Sequence, residues 1–233
     1  MHAPPRPAPA RPLRDAAQAR FWNRLARRYA RDPIADPAGY EATLRRVAGL
    51  LDPGHSVLEI GCGTGTTALR LGAGARRLLA TDLSEEMIAI AREKLACQPV
   101  TGLRFEVAAA EDGAPDGERR DVVMAFNVLH LVADLDRTLA TVARSLEPGG
   151  LFVSKTPCLA EMNVLVPSVL LPVMRALGRA PAVRVFDAGR LRAAIARHGF
   201  AVEAVERHGT TRRDARAFIV ARRIGGGAGT PVG

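Results

Sequence analysis

The sequence predicts an α/β fold, a doubly wound and mainly parallel sheet with helices on both faces. Three observations carry that expectation. Strand and helix signals alternate through most of the 233 residues, a pattern that requires crossover helices and hence parallel strands. A short apolar strand, Ser56–Ile60, runs directly into a glycine-rich turn and then a helix. The last two strands are separated by only about ten residues without a helix pattern. That is too short for a parallel crossover, so an antiparallel hairpin is expected.

The elements follow in order. Residues 1–14 carry Pro4, Pro5, Pro7, Pro9 and Pro12 and read as a disordered Pro/Arg-rich tail. Asp15 is placed to cap a helix reaching about Arg31, with Phe21, Trp22, Leu25 and Tyr29 on one face and Asp32-Pro33 as its stop. A second helix is expected from Pro37 to Leu51, closed by Asp52-Pro53-Gly54. These two helices form a cap over 15–55.

After the first strand, helix signals resume over Thr66–Gly72, and a second strand, Leu78–Thr81, ends at Asp82. Ser84 caps a helix reaching about Cys97, with Glu85 and Glu86 in the first turn, where the helix dipole favours acids. Leu103–Val107 and Asp121–Phe126 are the third and fourth strands, and a helix spans Asp134–Leu146. Pro148-Gly149-Gly150 turns into a fifth strand, Leu151–Lys155. Asp187 caps a helix ending at His198-Gly199, and Phe200–Glu206 and Ala217–Arg222 make the hairpin. The domain is expected over 15–224, with 225–233 a flexible Gly-rich tail.

Composition excludes several classes. Hydrophobic residues at 48% and charged residues at 24% are ordinary globular usage. Cys62, Cys97 and Cys158 form neither a disulfide framework nor zinc-finger spacing, so no metal is expected and a reducing compartment is. The uncharged apolar stretch Met162–Met174 contains Pro167 and Pro172 and is shorter than the ~18 residues of a membrane span. With no signal peptide either, a cytoplasmic location is expected. The net charge of +9 comes from scattered Arg, with only Lys94 and Lys155 as lysines. Without a basic run, and with aromatics at 4%, nucleic-acid binding is disfavoured.

The strongest motif is Val57-Leu58-Glu59-Ile60-Gly61-Cys62-Gly63-Thr64-Gly65. Its glycines let the backbone bend sharply and approach a ligand, and loop amides at a helix start suit a carboxylate or phosphate. Asp82, 17 residues past Gly65, closes the second strand, where an acid accepts hydrogen bonds from ribose hydroxyls. This leaves two cofactor classes, a dinucleotide or another ribose-bearing adenosine compound. Thr66 stands where the dinucleotide pattern G-x-G-x-x-G has its third glycine. Glu59, two residues before the first glycine, is an acid that can meet a ligand ammonium.

With these features the chain resembles a class I S-adenosylmethionine-dependent methyltransferase, of the small-molecule kind similar to ubiquinone and menaquinone biosynthesis methyltransferases. The resemblance covers about 15–224 and rests on five motifs: 57–65, Ala80–Ser84 with Met87, Phe105–Asp112, Asp121–Asn127 and Leu146–Phe152. It implies a Rossmann-like seven-stranded sheet ordered 3-2-1-4-5-7-6 with strand seven antiparallel. It implies S-adenosyl-L-methionine as cofactor and S-adenosyl-L-homocysteine as product. The loop Gly61, Cys62, Gly63, Thr64 and Gly65 is expected around the methionine part, with Glu59 orienting its ammonium and Asn127 facing it. Asp82 is expected on the ribose, Leu83 and Met87 on the adenine, and Ala110 and Glu111 at the adenine edge. Ala109 stands where many relatives have Asp, which moves the adenine amino contact to Glu111 or Asp112.

Methyl transfer from a sulfonium is a direct displacement governed by alignment, and a base is needed only when the acceptor keeps its proton. His130, just past the fourth strand, reads as that general base or as a hydrogen-bonded structural histidine. Tyr29 closes over the cofactor and bonds its carboxylate, or packs on its helical face. The apolar segment 158–186 forms a lid over a hydrophobic or aromatic acceptor, or a core helix, or a dimer contact. The expected partner is a small-molecule acceptor, and the chain is a monomer or homodimer. The rival readings are an RNA or protein methyltransferase and a non-catalytic cofactor-binding protein. Asn127-Val128-Leu129-His130 lacks the Asn/Asp-Pro-Pro-aromatic motif of amino-group methylases.

Overall fold

The computed structural model describes residues 13–161, 183–210 and 214–225. The two tail expectations, and most of the 158–186 segment, lie outside the described residues.

The elements are α1 (Leu13–Tyr29), α2 (Pro37–Ala48), β1 (Ser56–Ile60), α3 (Thr66–Leu71), β2 (Arg77–Asp82), α4 (Glu85–Cys97), β3 (Leu103–Val107), β4 (Arg120–Phe126), α5 (Leu135–Ser145), β5 (Leu146–Pro157), α6 (Ala188–Arg197), β6 (Phe200–Glu206) and β7 (Arg216–Arg223). The seven strands form one sheet ordered β3-β2-β1-β4-β5-β7-β6. β1 pairs in parallel with β2 and β4, and β7 runs antiparallel to both β5 and β6. Among the described residues no helix is long and apolar enough to cross a membrane.

Local chemistry sets the helix ends. Ser84, Asp134 and Asp187 each accept a hydrogen bond from a first-turn amide of the helix they precede, satisfying a donor with no intrahelical partner. Asp36 does the same for α2, where Pro37 opens the helix. α1 starts at Leu13, so Asp15 lies inside the helix rather than capping it. α2 stops at Ala48, short of Leu51. β5 begins at Leu146 instead of Leu151. Its register against β4 jumps from Arg120↔Leu146 to Val122↔Leu151, so Glu147–Gly150 bulges from a strand that continues on both sides.

Alternation along the buried strands divides the core in two. Leu58, Ile60, Val123 and Phe152 pack with Leu139 of α5 and Leu191 of α6. Val57, Leu78, Met124, Val153 and Phe218 pack on the other face with Leu44 of α2, Ala68 of α3 and Ile88 of α4. Glu59 falls on this second face by the same alternation, and Lys155, in register with Phe126 and Phe218, does too. α1 docks on α4 through Ala26, Met87 and Ile90, and Ser84 Oγ donates to Asn23 Oδ1 at 2.6 Å.

Candidate functional site

A cavity of about 450 Å³ opens at the carboxyl ends of β1, β2, β4 and β5. It is of the size that small ligands occupy, and it lies where strand order reverses about β1, the place open α/β sheets use for ligands. The α1–α2 connection forms part of its wall.

The glycine-rich loop shapes one end. Gly61, Gly63 and Gly65 have φ of +68°, +54° and +74°, a region that costs an L side chain roughly 1–2 kcal/mol. Two of them are also packed. A Cβ on Gly61 would lie 2.4 Å from Val128, and one on Gly65 would lie 2.6 Å from Phe105. At Gly63 the nearest neighbour is Tyr29, at 3.8 Å. Gly65 therefore starts α3 beneath the loop and is not on the cavity wall, whereas Gly61, Cys62, Gly63 and Thr64 are.

Asp82 ties this loop to the end of β2. Its Oδ2 accepts from the Gly63 amide at 2.9 Å and its Oδ1 from the Ser84 amide at 2.8 Å. Burial raises its pKa, and these two amides counter the rise. Glu59 is 2% exposed, and its Oε2 has no hydrogen-bond partner. Burial, and secondarily the charge of Asp82, push its carboxyl up to about 8. A buried, unpartnered acid on a cavity wall fits a ligand ammonium. The same burial raises the Cys62 thiol well above its ordinary value, which leaves it a small wall residue rather than a nucleophile.

Tyr29, Leu83, Met87, Ala110, Glu111 and Asn127 also line the cavity. Tyr29 sets its ring edge-on to Trp22, with centroids 6.2 Å apart. Asn127 adopts φ +55° at the end of β4, a conformation Asn tolerates better than most residues. Glu111 has a further engagement. Its Oε1 accepts from the Ala133 amide at 2.8 Å, and Asp112 pairs with Arg137. Both acids expected on the adenine amino group thus already hold the segment after β4 and α5.

His130 is not among the residues lining the cavity. Its Nδ1 is buried without a partner, and burial lowers the imidazole to about 4. The ring is neutral at pH 7 and a weak base. Its backbone carbonyl accepts from the Arg184 amide at 2.7 Å, and the Arg184 Nε donates to the Val132 carbonyl at 2.9 Å. The downstream end of the 158–186 segment is thereby fastened to the cavity rim, where Val132 is a wall residue.

Several wall residues escaped the sequence reading. Asp36, Thr43, Lys155 and Arg216 line the end away from Asp82. Lys155 carried a usable signal, as one of two lysines and the last residue of an apolar strand. Thr43 and Arg216 carried none, because α2 and β7 meet β5 only in the fold. Among the described residues no group of three His, Cys, Asp or Glu is placed to hold a metal ion.

Comparison with known proteins agrees with this geometry. Residues 57–150 match a family model described as a methyltransferase domain. A ubiquinone biosynthesis O-methyltransferase of Sinorhizobium medicae is 32% identical over 135 residues, 58% of this chain and 52% of that protein. The chain spans about half the length of the first curated relatives it matches. Among solved structures, an S-adenosylmethionine dependent methyltransferase from Mesorhizobium loti is 27% identical with a TM-score of 0.61, covering 80% of this chain and 99% of that one. A magnesium protoporphyrin IX methyltransferase from Synechocystis, with bound S-adenosylhomocysteine, shares the fold at TM-score 0.67 and 16% identity, over 90% and 99% of the two chains.

Proposed function

We propose, from the strand order and the match over 57–150, that the chain is a class I S-adenosylmethionine-dependent methyltransferase and that it methylates a small, hydrophobic or aromatic acceptor. The observation that carries the reading is the pair of acids at one end of the cavity. Asp82 is fixed by two backbone amides, and Glu59 is buried with an unpartnered oxygen.

S-adenosyl-L-methionine, when bound, supplies a methyl group on a sulfonium, a charged leaving group that needs no activation by the protein. The chain's own residues bind, orient and exclude water. Asp82 takes the ribose hydroxyls, and Glu59, in its ionised form, takes the ammonium. The loop Gly61–Thr64 and Asn127 enclose the methionine part. Leu83, Met87 and Ala110 supply the apolar surface for the adenine, with Tyr29 and Trp22 closing the cap side. Alignment of acceptor, methyl carbon and sulfur then provides most of the acceleration.

The acceptor class follows from the remaining walls. Trp22, Leu44, Val47, Phe126 and Leu131 line the cavity with apolar and aromatic surfaces. These surfaces favour a ring or hydrocarbon over a solvated chain. The test is calorimetric titration with S-adenosyl-L-methionine and, separately, NADH. Micromolar affinity for the first alone is expected. Equal affinity for NADH, or none for either, would refute the proposal.

A further inference from the structure

The acids at one end of the cavity have a counterpart at the other. Lys155 leaves the carboxyl end of β5 on the same sheet face as Glu59. β4 lies between them, so the two are separated by two strand spacings, roughly 10 Å across the sheet, and the Oε2 of Glu59 stays without a partner. Lys155 is only 6% exposed and lies on the cavity wall. Its Nζ donates to Thr43 Oγ1 at 2.7 Å and, more weakly, to the Gly39 carbonyl at 3.4 Å. An amine in this place has a third hydrogen or a lone pair left for a ligand.

The surroundings give a charge here no direct ion-pair partner. From α2 and its cap come Thr43 and Asp36, from the start of β7 Asp214 and Arg216, and behind Thr43 stands His208. Asp36 is already bonded to the Gly39 and Thr210 amides. Asp214 holds the Arg216 amide and guanidinium through Oδ1, while its Oδ2 is buried without a hydrogen-bond partner. His208 lies 3.1 Å from Thr43 Oγ1 and 3.0 Å from Glu206. Among the described residues no carboxylate pairs with Lys155, and residues 162–182 and 211–213 contain no acid. Desolvation, reinforced by Arg216, lowers the Lys155 pKa, while Asp214 and Asp36 oppose the shift. A buried amine without a direct ion-pair partner is either neutral or open to an anion, and an acidic acceptor satisfies both states in turn.

We propose that Lys155 is the acceptor-side catalytic group, which takes the proton of a phenol acceptor as a base or, as an ammonium, binds the oxygen of an acceptor carboxylate that is already ionised. This deepens the methyl-transfer reading and rests on it. With a phenol, the O–H bond breaks and the proton passes to the Nζ lone pair, leaving an ammonium beside an oxygen anion; a carboxylate brings that anion itself. That oxygen then forms the new bond to the methyl carbon, while the carbon–sulfur pair stays on sulfur. The charge of Lys155 is thus balanced where the nucleophile is needed, and Arg216, a residue of the same wall, favours the anion too.

With two lysines in the chain, the test is direct. In the Lys94→Arg protein, selective 13Cε labelling of lysine leaves one resonance, that of Lys155. With S-adenosyl-L-homocysteine bound, that resonance is titrated against pH alone and then with catechol, benzoate and benzamide at millimolar concentration. A midpoint below the ordinary lysine value, and a shift with catechol or benzoate but not benzamide, is expected. Lys155→Met should weaken the responding acid at least tenfold, and Lys155→Arg should keep benzoate but lose catechol. Both variants should hold S-adenosyl-L-homocysteine within twofold, which also reports that they are folded. An ordinary midpoint with no response to either acid, or undiminished binding in Lys155→Met, overturns the inference while leaving methyl transfer intact. Absence of S-adenosyl-L-homocysteine binding by the unsubstituted protein would instead count against the reading beneath it.

Discussion

The two ends of the cavity are built on different principles. At the β1–β2 end, backbone does most of the positioning. Three left-handed glycines bend the loop, and Asp82 is locked by the amides of Gly63 and Ser84. At the β5–β7 end, side chains from distant elements converge, with Lys155, Thr43 and Arg216 brought together by α2, β5 and β7. The first end carries Glu59 and Asp82, and the second carries Lys155 and Arg216 beside an Asp36 already held by backbone amides. A site of opposite poles orients a ligand set that is itself polarised, with an ammonium at one side and an acidic nucleophile at the other. The backbone-built end is rigid and generic, and the side-chain-built end is where we place acceptor specificity.

Substituting the glycines tests that rigidity most severely. Gly61→Ala places a Cβ at 2.4 Å from Val128 in a left-handed backbone, combining about 1–2 kcal/mol of conformational cost with about 1–3 kcal/mol of overpacking. Gly63→Ala meets nothing closer than Tyr29 at 3.8 Å and carries about 1–2 kcal/mol of conformational cost alone. Thermal melts should therefore rank Gly61→Ala well below Gly63→Ala. Equal melting points would mean that the loop yields and that the end is less rigid than described.

Asp82→Ala comes next. It strands two backbone amides and removes the ribose acceptor, and an affinity loss of about 100-fold for S-adenosyl-L-homocysteine, or roughly 3 kcal/mol, is expected in calorimetry. A change of threefold or less would place the ribose elsewhere and break the distinction between the poles.

Legibility in the sequence follows the same division. The glycine loop and Asp82 could be read because each is encoded in contiguous residues, an apolar strand, its turn and the next helix start, whereas the strand order came only from the resemblance those motifs carry. The β6–β7 hairpin was readable from loop length alone. The bulge at Glu147–Gly150 was not, because Pro148-Gly149-Gly150 signals a turn whether or not the strand resumes. It resumes because Leu146 still pairs with Arg120. Thr43, Lys155 and Arg216 sit on separate elements, at least 61 residues from one another, and no spacing rule connects them. His130 was read from its place after β4, yet the turn at Asn127 and the buried Leu129 and Val132 on either side carry it off the described cavity wall.

Glu59→Gln sharpens the charge contrast with a smaller effect. The Glu59 carboxyl sits at about 8 in the folded protein against an ordinary 4.5. Between those values the folded state holds a proton that the unfolded state has lost, so this residue's contribution to stability falls as pH rises through the window. The Gln variant lacks that loss and should be the more stable protein at pH 8. Binding an ammonium requires the ionised form, so the wild type should release about one proton per S-adenosyl-L-homocysteine at pH 7, and Glu59→Gln none. Titrations in buffers of different ionisation enthalpy measure this. An affinity loss of about tenfold, or ~1.4 kcal/mol, should accompany it. No proton release would mean that Glu59 stays neutral and that the ammonium is held by backbone alone.

The smallest effect is expected at Tyr29, and it decides how far the backbone-built end extends into the cap. The Tyr29 ring packs edge-on against Trp22 and stands over Gly63, while the residue as a whole is half exposed. A ring in that position excludes water from the loop, whereas a tyrosine hydroxyl exchanges a ligand hydrogen bond for one to water at little net gain. Tyr29→Phe should therefore change S-adenosyl-L-homocysteine affinity by less than about twofold, and Tyr29→Ala should weaken it several times more through lost apolar contact. A loss of about fivefold in Tyr29→Phe would reverse the assignment. It would make the hydroxyl a ligand contact and α1 a contributor of polar recognition, so that even the acid end would depend on a side chain brought from a distant element.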